Sequence, residues 1–310
     1  MPDILTLTMN PALDVATATH KVMDTHKLRC TTEVRHPGGG GINVARVLHR
    51  LGVDCEAVYP LGGVRGEALR LLMDAEGVRS RCLPIAGETR ENFTVEEVSS
   101  GREFRFVLPG PQLQAQEWQA CLEAVLATPG GYLVASGSLP PGVPDGFYAQ
   151  LAKRAKQQGL RVVLDASGAA LAGGLHEGVY LVKPSLRELR DLTGLPLTEE
   201  AQWRDAARQL ITNGQAEVVA LSMGPQGAML VTRDGCWRAP GLAVQVRSAT
   251  GAGDSFVGAM LWALNRGAGL PEAFRYGVAA GSAALMSVGT GLCQPADMER
   301  LYESTVLARY

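Results

Sequence analysis

The stretch Tyr132-Leu133-Val134-Ala135-Ser136-Gly137-Ser138 is an apolar run of strand length that ends in small polar residues. Three later runs have the same form: 161–164, 179–182 and 217–221. Helices are predicted among these runs, over about 145–158 and 199–212. Near-continuous apolar strands that alternate with helices are typical of a parallel sheet covered on both faces. The chain is therefore predicted to have an α/β fold.

Polar residues follow each of these predicted strands. Asp165 ends the second strand, Lys183-Pro184-Ser185 follows the third, and Ser222-Met223-Gly224-Pro225-Gln226-Gly227 follows the fourth. In open parallel sheets, ligands bind beyond the carboxyl ends of the strands. We therefore expect a ligand site along that edge of the sheet.

The segment Ser248-Ala249-Thr250-Gly251-Ala252-Gly253-Asp254-Ser255 precedes an apolar run with helical spacing over 256–264. Small residues let a backbone approach a ligand closely, and the first N–H groups of a helix favour an anion. One interpretation is therefore an anion-binding helix start with Asp254 at its rim. The other is that Asp254 only caps the helix and the glycines only make a turn.

Four consecutive glycines, Gly38-Gly39-Gly40-Gly41, precede a predicted helix over 42–51. Packing is not expected to require so many glycines in a row. They suit a backbone pressed against a small polar ligand, or a flexible turn. Their position at a helix start favours the ligand.

Two polar stretches are predicted to form strands with one solvent face, within 15–35 and 88–108. In the first, Lys27 and Arg29 would share one strand face. The second is predicted to be a β-hairpin around Ser99-Ser100-Gly101. So small a sheet cannot bury its own apolar face, which favours a partner subunit. Further strands are predicted over 4–9 and 53–61, and further helices over 66–76 and 273–286.

Composition excludes several classes of protein. A formal net charge of -2 argues against a nucleic-acid-binding surface. The sequence contains no apolar run of about 18 residues, so no membrane span is predicted. The start Met1-Pro2-Asp3-Ile4-Leu5 does not have the form of a signal peptide. The 6 cysteines are scattered without a CxxC pair, as expected in a reducing cytoplasm, and the 5 histidines lack zinc-site spacings. The Walker A, GxGxxG, HRD and DFG motifs are absent.

Two of these stretches resemble the signatures of the ribokinase/PfkB carbohydrate kinase family: 38–46 and, more specifically, 249–256. Further matches lie at 10–14, 27–30, 89–90, 137–142 and 222–227, so the resemblance covers essentially the whole chain. It implies a ribokinase-like fold, with a central mostly parallel sheet, helices on both faces and a small β-sheet lid that also forms a homodimer interface. Because no linker divides the chain, one kinase domain over 1–310 is expected.

The resemblance is strongest to the minor, PfkB-type 6-phosphofructokinases, and it is also clear to 1-phosphofructokinases and tagatose-6-phosphate kinases. Those other kinases usually carry Gly-Gly-Lys-Gly where this chain has four glycines. The four glycines and Lys27-Leu28-Arg29-Cys30 favour fructose 6-phosphate, phosphorylated by ATP at its 1-hydroxyl to fructose 1,6-bisphosphate, a step of glycolysis. The alternatives are a kinase that acts on fructose 1-phosphate or tagatose 6-phosphate, or a sugar-phosphate-binding relative without turnover. Such a relative would not need the acid Asp254.

The resemblance also implies a role for each site residue. Asp254 would take the proton of the 1-hydroxyl, while the backbone of Gly251, Ala252 and Gly253 stabilises the transferring phosphoryl group. The sugar phosphate would contact Asp14, Gly38, Gly39, Gly40, Gly41, Asn43, Arg90, Ser138 and, from a partner subunit, Lys27 and Arg29. ATP would contact Lys183, Ser185, Ser222, Gly224, Pro225, Gln226, Gly227, Val278 and Ser282.

Two metal ions complete the set that the resemblance implies. Mg²⁺ would lie near the ATP phosphates and Glu188. Carbonyl groups near six residues would hold a monovalent cation such as K⁺: Ser248, Thr250, Ala284, Ser287, Gly289 and Gly291. One residue departs from the family pattern, since the family usually has Asn where this chain has Ser185. The shorter serine would make its contact through water.

Overall fold

The computed structural model describes residues 3–24, 26–128 and 131–310. Its strands, in chain order, are β1 (Ile4–Leu7), β2 (Ala12–Thr19), β3 (Val34–Gly38), β4 (Cys55–Leu61), β5 (Ser80–Pro84), β6 (Arg90–Glu97), β7 (Arg102–Val107), β8 (Tyr132–Ser136), β9 (Arg161–Asp165), β10 (Val179–Val182), β11 (Ala216–Ser222), β12 (Ala228–Thr232), β13 (Cys236–Ala239) and β14 (Ala308–Arg309).

A 10-stranded sheet forms the centre of the molecule, in the order β14-β13-β12-β11-β10-β9-β8-β1-β4-β5. The strands from β11 to β5 in this order pair in parallel, and β12, β13 and β14 pair antiparallel at one edge. The predicted mostly parallel sheet is therefore confirmed. The antiparallel edge was not predicted. It arises because a turn of only a few residues joins β11 to β12, whereas a parallel crossover would need a longer connection such as a helix.

The helices are α1 (Gly40–Arg50), α2 (Gly63–Ala75), α3 (Ala115–Leu126), α4 (Phe147–Gln157), α5 (Gly168–His176), α6 (Leu186–Thr193), α7 (Glu200–Thr212), α8 (Ala252–Asn265), α9 (Leu270–Ala284) and α10 (Pro295–Ser304). None of these helices of the described chain combines the length and the apolar character needed to cross a membrane.

Both faces of the central sheet are covered, as predicted. Along β8, Leu133 and Ala135 pack into one apolar cluster with α3 to α7, whereas Tyr132 and Val134 pack into a second cluster with α1, α2, α8 and α9. This alternation follows from the two-residue period of a strand. It explains why the strand sequences are apolar at almost every position.

A separate 4-stranded sheet has the order β3-β2-β6-β7 and corresponds to the predicted lid. The hairpin is confirmed, since β6 and β7 pair antiparallel around a turn at 98–101. The prediction of strand throughout 15–35 was wrong for its middle part, where the described residues 20–24 and 26–33 contain no strand. Lys27 and Arg29 are exposed there. Single hydrogen bonds join this segment to β2, from the Thr31 N–H to the Ala18 carbonyl at 2.8 Å and from Thr19 Oγ1 to the Arg29 carbonyl at 3.3 Å, without a strand forming.

Candidate active site

The carboxyl ends of the parallel strands bring the predicted edge residues together. Ser136 at the end of β8 is in register with Asp165 at the end of β9. Lys183 follows β10, and its Nζ lies 3.2 Å from Asp165 Oδ1. Ser185 and Ser222 form an isolated parallel bridge at the next two strand ends. The residues that the sequence placed at one edge are therefore contiguous in the structure.

The first turn of α8 presents free backbone N–H groups. Gly251 is the N-cap residue with a φ of 77°, a left-handed conformation that favours glycine, and no side chain caps the helix. The N–H groups of 251–254 have no acceptor within the described ranges, and Ser255 is the first whose N–H finds one, the Gly251 carbonyl. A Cβ on Gly253 would lie only 3.2 Å from Lys183 Nζ. The helix start and the ammonium group together favour an anion.

Asp254 lies in this first turn, and its Oδ2 accepts a hydrogen bond of 2.8 Å from Asn43 Nδ2 on α1. The interpretation of Asp254 as a simple helix cap is wrong, since Gly251 is the N-cap residue and no side-chain cap bond forms. The two glycine-preceded helices thus meet at an amide–carboxylate contact.

The surroundings of Asp254 raise its pKa to about 7. Burial is the largest cause, and the neighbouring Asp165 carboxylate adds to it, while the Asn43 hydrogen bond and Lys183 act in the opposite direction. A carboxyl group whose pKa lies near 7 is suited to accept a proton at neutral pH.

Asp165 is a functional candidate to which the motifs gave no role. Its side chain is mostly buried and forms an ion pair with the buried Lys183. Burial lowers the pKa of Lys183, but the carboxylates of Asp165 and Glu188 outweigh it, so the pKa is raised and the amine stays charged. The signal for Asp165 was present in the sequence, because an acid that ends an apolar strand lies at the ligand edge.

Asp14 on β2 faces the same region and is held from two sides. Its Oδ2 accepts from Thr290 Oγ1 and its Oδ1 from Asn92 Nδ2, each at 2.9 Å. A Cβ on Gly38 would lie 2.3 Å from the Asp14 carboxyl carbon, so this glycine is required by the approach of the carboxylate. Sequence reasoning missed Thr290 and Asn92, since neither lies in a recognisable motif.

The other glycines at the start of α1 are also required by the protein itself. A Cβ on Gly40 would lie 2.0 Å from Ser136 Oγ, and one on Gly41 would lie 2.6 Å from the Leu7 carbonyl oxygen. Gly39 has a φ of 118°, which other residues rarely adopt. The expectation that packing does not require these glycines was wrong.

Ser138 lies in a polar pocket with Asn10 and Arg90. Asn10 Nδ2 donates to Ser138 Oγ at 3.1 Å, and Arg90 donates to the backbone carbonyls of Asn10 at 2.9 Å and Leu108 at 3.0 Å. Asn10 Oδ1 and Arg90 Nε are buried without a hydrogen-bond partner among the described residues. Because buried polar groups are normally paired, these two atoms indicate a position for a polar ligand.

A match to a protein family covers this whole arrangement. The family described as pfkB family carbohydrate kinase matches residues 8–297, which include α1, α8 and every strand end described above. This chain belongs to the PfkB family of carbohydrate kinases.

Individual PfkB relatives cover nearly the full length. The chain is 44% identical over 304 residues to the ATP-dependent 6-phosphofructokinase isozyme 2 of Mycobacterium tuberculosis, with 97% of this chain and 89% of the relative covered. It is 32% identical to the 1-phosphofructokinase of Bacillus subtilis, with 93% and 94% covered. Crystal structures of phosphofructokinase-2 from Escherichia coli, in complex with fructose-6-phosphate and with potassium, have a TM-score of 0.93, identities of 42% and 43%, and coverage of 98% of this chain and 99% of theirs.

The residues 222–227, which the PfkB resemblance assigns to ATP, form a tight turn between β11 and β12. The segment Gly224–Gln226 is a 3-10 helix, and the Met223 N–H donates to the Gly227 carbonyl at 2.8 Å. The Ser222 N–H donates to the Pro184 carbonyl at 2.9 Å, which joins this turn to the segment with Lys183.

Helix α9 supplies the remaining predicted ATP residues. It packs against both α8 and β12, and a Cβ on Gly281 would lie 3.2 Å from the Ala252 carbonyl oxygen. Val278 is buried and Ser282 is half-buried on this helix. The small residues of α9 therefore permit a close approach to the start of α8, and contact of Val278 and Ser282 with ATP stays a prediction.

The carboxylates at the strand ends fit a Mg²⁺ ion that is held mainly by ligand oxygens. No group of three or more His, Cys, Asp or Glu side chains within the described part of the chain would hold a metal alone. Magnesium usually takes only one or two carboxylates together with phosphate oxygens and waters. Glu188 Oε2 accepts from the Ser185 N–H at 2.7 Å, and Ser185 Oγ in turn accepts from the Glu188 N–H at 3.2 Å, so Ser185 is the N-cap of α6.

The predicted monovalent-cation residues lie on the loop before α8, at Ala284 as the last residue of α9, and on the loop that follows α9. The N–H groups of Arg247 and Ser248 donate to the Leu285 carbonyl at 2.7 and 3.3 Å, and Thr250 Oγ1 is buried without a described partner. An unpaired buried oxygen fits a cation site. The Gly291 carbonyl instead accepts from Arg50 at 2.7 Å, which argues against a second cation at that oxygen. Ala284, Ser287 and Gly289 stay predictions.

A cavity of about 640 Å³ lies at the opposite edge of the sheet. Its lining includes Arg161, Tyr180 and Glu217, at the amino ends of β9, β10 and β11. No predicted site residue lines it, so this cavity and the residues suited to catalysis lie at different edges of the sheet. We favour the carboxyl edge, where the raised pKa of Asp254, the unpaired N–H groups and the family signatures coincide.

Proposed function

We propose that the chain transfers the γ-phosphoryl group of ATP to the 1-hydroxyl of fructose 6-phosphate, giving fructose 1,6-bisphosphate and ADP. The observation that carries this proposal is the difference in similarity, 44% identity to an ATP-dependent 6-phosphofructokinase against 32% to a 1-phosphofructokinase. Both comparisons cover more than nine tenths of the chain.

In the proposed reaction, Asp254 accepts the proton of the 1-hydroxyl as that oxygen attacks the γ-phosphorus. The bond between this phosphorus and the β–γ bridging oxygen breaks, and its electron pair leaves with ADP. A pKa of about 7 lets Asp254 receive the proton near neutral pH. The N–H groups of 251–254 and the Lys183 ammonium would stabilise the charge on the phosphoryl oxygens.

The same proposal assigns the sugar phosphate to the pocket between the lid and the sheet. Asp14 and Asn43 would bind the sugar hydroxyls, and Arg90 and Ser138 would bind the 6-phosphate. The unpaired buried atom Arg90 Nε supports this assignment, since a phosphate oxygen would satisfy it. Mg²⁺ held near Glu188 would neutralise phosphate charge. K⁺ near Thr250 would neutralise phosphate charge at the loop that precedes α8.

We further propose a homodimer through the lid. Phe106 of β7 is 55% exposed, and its cross-strand partner Phe93 of β6 is 37% exposed. A partner subunit would cover these apolar side chains. Lys27 and Arg29 are exposed, and their side chains form no ion pair or hydrogen bond with any described residue, which leaves them available to a partner's sugar phosphate. The unit of the dimer would be one ribokinase-like domain over 1–310.

The test is a coupled ADP-release assay of the purified protein with Mg²⁺, K⁺ and a panel of fructose 6-phosphate, tagatose 6-phosphate and fructose 1-phosphate. We expect kcat/KM for fructose 6-phosphate to exceed the others by at least about tenfold, the effect of one well-placed contact. A higher kcat/KM for fructose 1-phosphate would refute the substrate assignment. Absence of turnover with all three would refute the kinase reaction.

A further inference from the structure

Arg46 of α1 is a fully buried charged side chain that the proposed reaction does not use. Its charge is balanced by Glu76 at the end of α2. Arg46 Nη2 lies 2.6 Å from Glu76 Oε1, and Arg46 Nε donates to both carboxylate oxygens at 3.0 Å. Burying a charge is costly unless a partner compensates it, so a pair of this kind calls for an explanation.

The other end of the guanidinium points toward the candidate active site. Its Nη1 carries two hydrogens and lies within hydrogen-bonding distance of three oxygens, the Pro37 carbonyl at 3.0 Å, the Thr290 carbonyl at 3.1 Å and Asn43 Oδ1 at 3.3 Å, so two of these bonds share one hydrogen. Pro37 belongs to the lid strand β3, and the Thr290 side chain donates to Asp14. One guanidinium thus contacts three segments that surround the sugar pocket.

We infer that Arg46 is a positioning residue that fixes the orientation of the Asn43 amide. A guanidinium has five N–H donors and no acceptor, so only the amide oxygen of Asn43 forms a hydrogen bond with it. The NH₂ group of Asn43 must then point to Asp254, where Nδ2 donates to Oδ2 at 2.8 Å. This inference rests on the proposed function, because it assigns the orientation a role in tuning the base Asp254.

Loss of the guanidinium would free the amide to turn. Asn43 Oδ1 would then face Asp254, accept a hydrogen bond from its protonated form and form none with its ionised form. A hydrogen bond to the neutral form raises the pKa of a carboxyl group. The other charged groups that face Asp254 are Asp165, Lys183 and Asp14, and the change leaves them in place. The pKa of Asp254 would therefore be higher in the variant, and Asp254 would become ionised, and so able to act as the base, only at a higher pH.

The experiment compares Arg46→Met with the control Arg275→Met by the pH profile of kcat/KM for fructose 6-phosphate. Arg275 is a partly buried arginine of α9 that donates to two carbonyls, those of Thr305 at 2.7 Å and Tyr302 at 2.8 Å, and neither of these two residues belongs to the predicted site. For Arg46→Met we expect kcat/KM at neutral pH to fall about tenfold, with its acid limb about one pH unit higher. Arg275→Met should keep the wild-type profile.

A double-mutant cycle separates positioning from general damage. Asn43→Ala alone removes the amide, and Arg46→Met added to it should then move the acid limb no further. A further shift in the Asn43→Ala background, or a wild-type profile for folded Arg46→Met, would overturn the inference. If Arg46→Met does not fold, the pair replacement Arg46→Met with Glu76→Gln removes both charges and is measured in the same way. Failure of the proposed function would be distinguishable, since the wild-type protein would then show no turnover.

Discussion

The starts of α1 and α8 are alike in sequence and different in surroundings. Each helix follows glycines, and neither has a side-chain cap. At α1, a Cβ on Gly40 would lie 2.0 Å from Ser136 Oγ, inside the body of the protein. At α8, a Cβ on Gly253 would meet the end of the Lys183 side chain at 3.2 Å, where the helix faces the ligand edge.

This difference shows that glycines before a helix have more than one physical cause. At α1 they let the backbone pack against neighbouring strands and against the Asp14 carboxylate, so this helix start has a structural role. At α8 they leave N–H groups accessible beside a buried ammonium group, so the helix start is available to an anion. The hydrogen bond from Asn43 to Asp254 connects the two helix starts.

The largest effect is expected from Asp254→Asn. The side chain keeps its shape and loses the ability to accept a proton, so kcat should fall about 10²–10⁴-fold while KM for fructose 6-phosphate changes little. Steady-state kinetics with saturating ATP measure both constants. Asn43→Ala removes the other partner of the same contact and should cost much less in kcat. Equal losses in the two variants would contradict the assignment of the chemistry to α8.

Gly40→Ala and Gly253→Ala test the two helix starts directly. Gly40→Ala should destabilise the fold by about 2 kcal/mol, because the new methyl group overlaps Ser136. Gly253→Ala should leave stability within about 1 kcal/mol of wild type, since alanine favours the helix and the lysine end can shift. Its cost should appear as a lower kcat. Urea unfolding followed by circular dichroism measures the stabilities, and a destabilised Gly253→Ala would break the comparison.

The pH dependence of stability tests the environment of Asp254 apart from catalysis. The folded pKa of about 7 lies above the ordinary value of 3.8, so the folded state holds a proton that the unfolded state releases between these values. Stability is therefore lost as pH rises through this window. Asp254→Asn does not ionise, so it should be more stable than wild type by roughly 4 kcal/mol at about pH 8 and by little at about pH 4. A difference independent of pH would contradict the raised pKa.

The sequence was sufficient for the central sheet because its strands are buried on both faces. The runs near 132 and 179 are apolar throughout, and the structure has β8 and β10 there. Helices α3, α5 and α10 were missed, since none of them is introduced by a motif. The strand predicted around Lys27 does not form, although single hydrogen bonds join Arg29 and Thr31 to β2. Strand prediction works where burial imposes a pattern, and it fails where only pairing decides.

Within the site, the residues in local motifs could be predicted and their partners could not. Asp254 and Asn43 were found because each lies beside glycines in a short signature. Thr290 donates to Asp14 across 276 positions of sequence, and no local spacing predicts such a contact. The Glu76 partner of Arg46 was missed for the same reason, since it follows a different helix.

The smallest effect concerns α6, the third helix start at this edge. Unlike α1 and α8, it has a side-chain cap, in which Ser185 Oγ accepts from the Glu188 N–H and Glu188 Oε2 accepts from the Ser185 N–H. Ser185→Ala should cost about 1 kcal/mol in unfolding free energy, and Ser185→Asn, another good capping residue, should restore most of it. Urea unfolding of the two variants side by side measures the difference. If Ser185→Ala lowered kcat strongly with no loss of stability, Ser185 would act on the ATP phosphates and not as a cap.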